Sequence, residues 1–291
     1  MNTLAPSRRQ MLVGAAVVAA ASTSTFQPAV ASPGGATVTQ IRNATLRIDY
    51  AGVRFLVDPM LADQGAFPGF PGTAMSHLRN PLVPLPTSLP ELLAVDAVVV
   101  THTHPDHWDE AAQALVPKGL PIFVQNDADA AVIRGQGFSD VRVLTDATAF
   151  RGVRLTKTAG QHGPDAVVRA LPELLGEVCG VVLSHPGEKT LYLAGDTVWN
   201  GAVDQAIASH RPEVIVLNAG FAQILDLGPI IMGRQDVLAV HRAAPDAQII
   251  ATHMEAVNHC TLSRADLRAF SQEQGFADRL LIPADGERLT L

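Results

Sequence analysis

The stretch Val98–Glu110, VVVTHTHPDHWDE, limits what this chain can fold into more than any other. A β-branched run opens directly into His102, His104, Asp106 and His107. The valines call for a buried strand. The imidazoles and the carboxylate resist burial unless something pairs with them. The fold must therefore carry a buried strand to an end at a polar site. Pro105 biases His104 toward extended backbone, and in extended chain residues i and i+2 share a side. His102 and His104 are thus expected to face one point beyond the strand, with Asp106 and His107 following as the chain turns. Asp109 and Glu110 then fall in the first turn of a helix, where the dipole favours acids.

Imidazole and carboxylate together suit Zn, Mn or Fe better than Ca or Mg. His102 with His104, and Asp106 with His107, form two adjacent ligand pairs, enough to begin two metal sites. The bland reading is a polar strand end with incidental histidines. A complete site needs further ligands at other strand ends, and three candidates occupy such places. His162 lies in AGQHGP after VRLTKT, Asp196 in LYLAGDT, and His253 in QIIATHME. Singly they read as a loop imidazole, a turn aspartate and a capping histidine. Their shared position just past apolar strands makes them ligand candidates.

The rest of the chain alternates strands and helices. ATVTQI, ATLRIDY and VRFLVD read as strands separated by Arg-Asn and Ala-Gly turns. Residues 60–89, rich in Pro, Gly, Phe and Met, read as a long functional loop, a lid over a site, with a disordered insertion as the alternative. DAVVVT, PIFVQ and VRVLT then alternate with helices over DEAAQALV and DADAAVIRGQ. A strand-rich middle follows, comprising GVRLTKT, residues 166–170, EVCGVVLS and TLYLAGD, with HPGEK as a hairpin turn between the last two. Helices over 199–208, RQDVLAVHRA and SRADLRAF alternate with strands EVIVLN, AQIIAT and RLLIPA. The expected fold class is α/β: two mixed sheets packed together and covered outside by helices, in a single domain over 32–291.

At the N-terminus, Arg8 and Arg9 precede the apolar run MLVGAAVVAAA and a small-x-small site at Ala29 and Ala31. Together they read as a twin-arginine export signal over 1–31, recognised by the twin-arginine export machinery and directing the chain to the periplasm or outside the cell. Cleavage is the expected fate, an uncleaved anchor the alternative. The run is shorter than the roughly 20 residues that cross a bilayer, so no stable membrane insertion is expected after processing. The whole chain carries a net charge of −7, and Arg8 and Arg9 are the only charged residues in 1–31. The remainder is more acidic still and has no basic run, which argues against a nucleic-acid partner. Cys179 and Cys260 read as two separate thiols, Cys179 buried in its strand; an oxidising compartment would permit a bridge.

Taken together, the His-x-His-x-Asp-His run, the later loop histidine, the Gly-Asp-Thr after a strand and the final strand-end histidine resemble the metallo-β-lactamase superfamily over roughly 36–291. FLVDP and the Asp after HPDHW are similar to the branch that includes L-ascorbate-6-phosphate lactonase. The resemblance implies a four-layer αββα sandwich with two divalent metal ions at one edge, Zn first, with Mn or Fe open. His102, His104 and His162 would hold one ion, Asp106, His107 and His253 the other, and Asp196 would bridge them. Flavodiiron-type sites have Glu where His104 stands, which disfavours redox chemistry.

Two ions about 3.5–4 Å apart can share and orient a hydroxide, and Asp106 is the expected proton carrier. Ligating imidazoles usually donate their outer N–H to a supporting acceptor. Asp58 and Asp109 are candidates for that role or for helix capping. His259, in HMEAVNHC, reads either as a substrate-contacting proton donor or as a capping histidine. A rival metal site from His253, Glu255 and His259 would strand Asp106 and His107. His77, His185, His210 and His241 read as structural. The expected activity is an exported metal-dependent hydrolase cleaving a small ester or lactone-type bond in a small-molecule substrate. A metal-dependent phosphodiesterase, or a non-catalytic metal-binding or sensing protein on the same fold, is the alternative.

Overall fold

Two left-handed turn residues, Asn43 (φ 51°) and Ala51 (φ 49°), reverse the chain so tightly that its first strands must pair. In the computed structural model, which describes residues 1–2 and 35–291, these are β1 (Thr37–Arg42), β2 (Thr45–Tyr50) and β3 (Val53–Val57), an antiparallel meander. The twin-arginine pair, the apolar run and the small-x-small site lie outside the described residues. β4 (Ala97–Val100), β5 (Ile122–Val124) and β6 (Val141–Val143) extend the sheet in parallel. Their crossovers carry α1 (Leu89–Leu92), α2 (Glu110–Leu115) and α3 (Asp127–Gly135).

The second sheet takes β7 (Ala149–Phe150), β8 (Val153–Ala159), β9 (Cys179–Ser184), β10 (Leu191–Leu193) and β11 (Val214–Asn218). A separate two-stranded ribbon of β12 (Gln223–Ile224) and β13 (Gly228–Pro229) follows. β14 (Gln248–Thr252) and β15 (Leu280–Leu281) complete the second sheet, and β16 (Arg288–Thr290) returns to the first beside β1. Among the described residues each sheet has seven strands, in the orders β16-β1-β2-β3-β4-β5-β6 and β15-β14-β11-β10-β9-β8-β7.

Alternation along β4 shows how the layers stack. Ala97 and Val99 enter the core between the sheets with Val181, Leu183 and Val216. Val98 and Val100 face the other way, onto Trp108, Ala112 and Ile133 of the α2–α3 layer. On the far side, Ile215, Leu217 and Ile249 pack under α6 (Gly201–His210), α7 (Arg234–Ala243) and α8 (Arg264–Glu273) through Val203, Val237 and Leu267. The result is the expected sandwich of two mixed sheets between helices.

One segment departs from expectation. Residues 166–170, grouped with the strands above, lie in α4 (Asp165–Ala170), followed by α5 (Pro172–Leu175). Only Val167 of those five is buried, so no alternating face exists to anchor a strand. The Pro164 carbonyl accepts from the N–H groups of both Val167 and Val168, which starts the helix.

Residues 60–88 hold no helix or strand, yet they are fastened at several points. Arg42 is fully buried and donates its guanidinium N–H groups to the carbonyls of Met60, Ala62 and Val83. Burial lowers its pKa to about 10, with Asp109 first among the acids opposing the shift. Asn258 pins the middle: its Oδ1 accepts from Phe70 N (2.9 Å) and Asn80 Nδ2 (2.7 Å), and its Nδ2 donates to Thr73 Oγ1 and the Ala74 carbonyl. Beneath the segment, Met60, Phe67 and Phe70 join Leu175, Ile230 and Val257 in a fourth apolar cluster. Among the described residues no helix is long and apolar enough to cross a membrane.

Candidate metal centre

Parallel strands carry the ligands to one edge. β10, β11 and β14 run in parallel, and β8 runs with them because both β8 and β10 are antiparallel to β9. The C-terminal ends of β8, β10 and β14 therefore deliver His162, Asp196 and His253 to the same side. β4 delivers His102, His104, Asp106 and His107 from the other sheet. Pro105 and the turn bonds from the N–H groups of His107 and Trp108 to the His104 carbonyl (both 2.9 Å) bend the chain as the spacing predicts.

Their ligand atoms form three groups, each within 4.8 Å: His102–His104–His162, His102–His107–Asp196 and Asp106–His107–His253. Asp196 Oδ2 is the hub. It lies 3.2 Å from His107 Nε2, 3.5 Å from His162 Nε2, 3.7 Å from His253 Nε2 and 3.9 Å from His102 Nε2. Its other oxygen accepts from Asn218 Nδ2 at 2.6 Å, which fixes the carboxylate plane. All seven side chains are buried except that of His104, which is half-buried.

The outward ring nitrogens decide what the inward ones can bind. Each has its own partner: Thr101 Oγ1 for His102 (3.2 Å), the Leu174 carbonyl for His104 (2.9 Å), Asp58 for His107 (2.9 Å) and the Ile230 carbonyl for His162 (2.8 Å). For His253 the partner is Cys260 Sγ, 3.3 Å away. Rings that donate outward carry lone pairs inward. Those lone pairs meet: His102 Nε2 lies 3.0 Å from His104 Nδ1, and His107 Nε2 lies 3.1 Å from His253 Nε2. Facing lone pairs beside two carboxylates leave a demand for positive charge, and divalent cations fit it.

The electrostatics carry the same message. Burial would raise Asp106 and Asp196, yet the surrounding imidazoles, His107 first, hold both carboxyls well below their usual range. Burial would lower His107, but Asp196, Asp106 and Asp58 lift it to about 10. Burial keeps His162 neutral, down to about 4, and drives His102 well below its ordinary value. His253 is raised well above its ordinary value, with Asp196 the leading attraction against burial.

The two candidate supporting residues take one each of the expected roles. Asp58 does orient a ligand: it accepts from His107 Nδ1 and from both the backbone N–H and the hydroxyl of Thr101. Asp109 supports none; it caps α2 through Ala112 N (2.7 Å) and accepts from Ala62 N (2.7 Å). The rival trio is not assembled, because Glu255 turns away to pair with Arg264 (2.8 Å). Cys179 and Cys260 are separate, buried free thiols.

Beside the centre lies a cavity of about 160 Å³. Phe70, Pro71, Leu174, Leu175, Ile224 and Ile230 give it apolar walls, and Asp106 and His259 face it. Among the described residues no Lys or Arg lines it. His259 stands edge-on to Phe70 with centroids 5.1 Å apart, and its Nδ1 has no hydrogen-bond partner among the described residues. Burial lowers it to about 4, so it is a neutral imidazole. His185 and His210 sit in a turn and at a helix end; His241 stacks on Phe276 at 5.0 Å.

Arg42, Asn43, Asn218, Asn258 and Cys260 were not legible as site residues. Asn43 Nδ2 donates to the Asp106 carbonyl at 2.9 Å from the β1–β2 turn. Asn218 alone carried a usable signal, a polar residue ending an apolar strand like the ligands themselves.

Comparison with known proteins identifies the family. The family described as Beta-lactamase superfamily domain matches residues 53–254. UPF0173 protein YddR of Bacillus subtilis (strain 168) is 52% identical over 254 residues, covering 87% of this chain and 99% of that protein. The crystal structure of an isothiocyanate hydrolase from Delia radicum gut bacteria is 52% identical, with a TM-score of 0.86, covering 88% of this chain and 99% of that one. A possible metal-dependent hydrolase from Veillonella parvula DSM 2008 is 45% identical, also with a TM-score of 0.86, at 88% and 99% coverage. The chain belongs to the beta-lactamase superfamily, as a metal-dependent hydrolase of the UPF0173 family.

Proposed function

We propose that the protein hydrolyses small, uncharged, apolar electrophiles, with isothiocyanates as the leading substrate class. The observation that carries this reading is the apolar cavity without a cationic lining residue, opening directly on the ligand cluster. A phosphodiester would bring a negative charge to walls that offer it no Lys or Arg. Ligand cavities usually span about 300–1,000 Å³, so a cavity of about 160 Å³ fits a compact molecule. A protein of 52% identity with near-complete mutual coverage is an isothiocyanate hydrolase, which supports the same class. Small esters and lactones share the neutral electrophilic carbon and form the second arm of the test.

His102, His104 and His162 would hold one divalent ion and Asp106, His107 and His253 a second, with Asp196 between them; zinc suits this donor set. Such ions supply Lewis acidity and water acidic enough to attack at neutral pH. The chain's own residues do the rest. Phe70, Ile224 and Ile230 pack the organic group and exclude solvent. Asp106, which lines the cavity, takes the proton released by the attacking water and passes it on. For R–N=C=S the water oxygen bonds to the central carbon, the C=N π pair moves to nitrogen, and nitrogen takes that proton. The resulting R–NH–C(=S)–OH breaks its C–N bond, with the hydroxyl proton going to nitrogen, to give the amine and carbonyl sulfide. His259, neutral and on the cavity wall, is placed to contact the substrate during these transfers.

The test is turnover by purified, zinc-loaded full-length protein of benzyl and allyl isothiocyanate, an aryl ester, a lactone and a phosphodiester. Isothiocyanate loss with stoichiometric amine release is the expected result. Phosphodiester turnover with inert isothiocyanates overturns the reading. Export rests on Arg8-Arg9 and the apolar run after them; cell fractionation with Arg8→Lys/Arg9→Lys tests it, periplasmic loss being expected.

A further inference from the structure

His253 differs from the other ligand candidates in two ways. Its backbone is left-handed (φ 58°), a conformation a residue with a Cβ keeps only when its surroundings hold it. Its Nδ1 faces a sulfur, where the other four rings face oxygen. The same Cys260 Sγ lies 3.3 Å from the His253 carbonyl oxygen. Both residues are buried.

The recess that receives this sulfur is shaped by a second residue. A Cβ on Gly220 would stand 2.7 Å from Cys260 Sγ and 2.0 Å from the His253 carbonyl oxygen. Only glycine lets β11's exit pass so close. The surrounding backbone is pinned: Leu262 N donates to the Gly220 carbonyl (3.0 Å), His253 N donates to the Asn43 carbonyl (2.9 Å), and Cys260 bridges to Ala222.

We propose that Cys260 is a positioning residue for the second metal position. Its S–H donates to the His253 carbonyl, and its sulfur lone pair accepts the Nδ1–H of the same residue. One sulfur thereby holds both the left-handed backbone and the ring, and keeps the Nε2 lone pair aimed at Asp106 and His107. Acceptors behind ligating imidazoles typically change metal affinity about 10–100-fold when removed. The proposal rests on the two-ion reading of the cluster and is independent of the substrate.

The experiment is zinc titration of chelator-treated full-length protein against a competing chromophoric chelator, for the wild type, Cys260→Ser and Cys260→Ala, with circular dichroism to verify folding. Wild type should bind two ions. Cys260→Ala should bind the first ion as wild type does and the second about 10–100-fold more weakly. Cys260→Ser, whose hydroxyl can both donate and accept, should recover most of that loss. A folded Cys260→Ala with unchanged second-ion affinity overturns the proposal, as does a serine variant no better than alanine. A wild type that binds a single ion or none overturns the two-ion reading itself, and this role with it. Nitrogen-15 NMR of histidine-labelled, zinc-loaded wild type needs no variant. A His253 Nδ1–H proton protected from solvent exchange supports the clamp, and a rapidly exchanging one refutes it.

Discussion

Removing the Asn258 side chain should loosen the wall of the substrate cavity while leaving the ligand cluster intact. The residue is fully buried, and its amide holds four groups of residues 70–80. In Asn258→Ala, Phe70 N–H and the Asn80 amide lose their acceptor. A buried polar group left unpaired costs about 1–3 kcal/mol, so these two together cost about 2–6 kcal/mol. Thr73 keeps its own bond to the Phe70 carbonyl, and the Ala74 carbonyl, in a part-buried bond, recovers much of its loss with water. The sum is large beside a typical domain stability of about 5–15 kcal/mol, but the affected bonds tie a loop to the domain and leave the sheets untouched. The expected response is local opening of residues 66–80, felt first by Phe70, Pro71 and Thr73 at the cavity. If opening forfeits even 1.4 kcal/mol of ground-state binding, KM rises about tenfold, with a smaller change in kcat. Steady-state hydrolysis of benzyl isothiocyanate reads the KM. Limited proteolysis reads the opening without any substrate and should cut within 60–89 faster than in wild type. Wild-type KM together with wild-type proteolysis would refute the claim that Asn258 holds this wall.

Three further outcomes follow from the geometry. Asp106→Ala should abolish turnover and weaken binding of a second zinc ion, read by activity and metal titration; surviving turnover would remove Asp106 from the mechanism. Gly195→Ala places a Cβ 2.4 Å from the Cys179 carbonyl at a φ of +70°; it should cost roughly 2 kcal/mol or more and shift Asp196, visible as a lowered melting temperature that an unaffected fold would contradict. Asp96 is pushed up by burial but held below its usual range overall by the Arg54 N–H and the Arg151 guanidinium. Its folded pKa is thus below the unfolded value, so its contribution is present above the ordinary carboxylate range and is lost as pH falls through it. Asp96→Asn should therefore shrink the difference in melting temperature between pH 7 and pH 3, and an unchanged difference by calorimetry would count against the pairing.

Much of the centre was readable because its chemistry is local. His102 through His107 sit in one run, and His162, Asp196 and His253 each follow an apolar strand, so strand polarity alone predicts that they converge. The layers followed from the same alternation, seen directly in Ala97–Val100. What stayed hidden depends on partners far along the chain. Asn258 meets Asn80 across 178 positions, and Arg42 meets only main-chain carbonyls, which every residue has. Cys260 gave no sign because a buried thiol reads as a small apolar residue until its contact with His253 is known. Residues 166–170 misled for a different reason: a short valine-containing run satisfies strand and helix patterns alike, and the neighbouring proline decided between them.

Arg42 has a consequence for how such an enzyme could diversify. It grips Met60, Ala62 and Val83 by their peptide oxygens, one side chain from the sheet bracing both ends of the segment from within. Nothing in that grip reads the identity of what lies between. Apart from Thr73, which Asn258 holds, and Gly69, where a Cβ would stand 2.4 Å from the Leu78 carbonyl, the stretch around Phe67–Leu78 can therefore exchange its side chains, and with them the shape offered to a substrate, while the Arg42 grip stays in place. New preferences become accessible by rewriting a short cassette whose failures do not propagate to the catalytic edge.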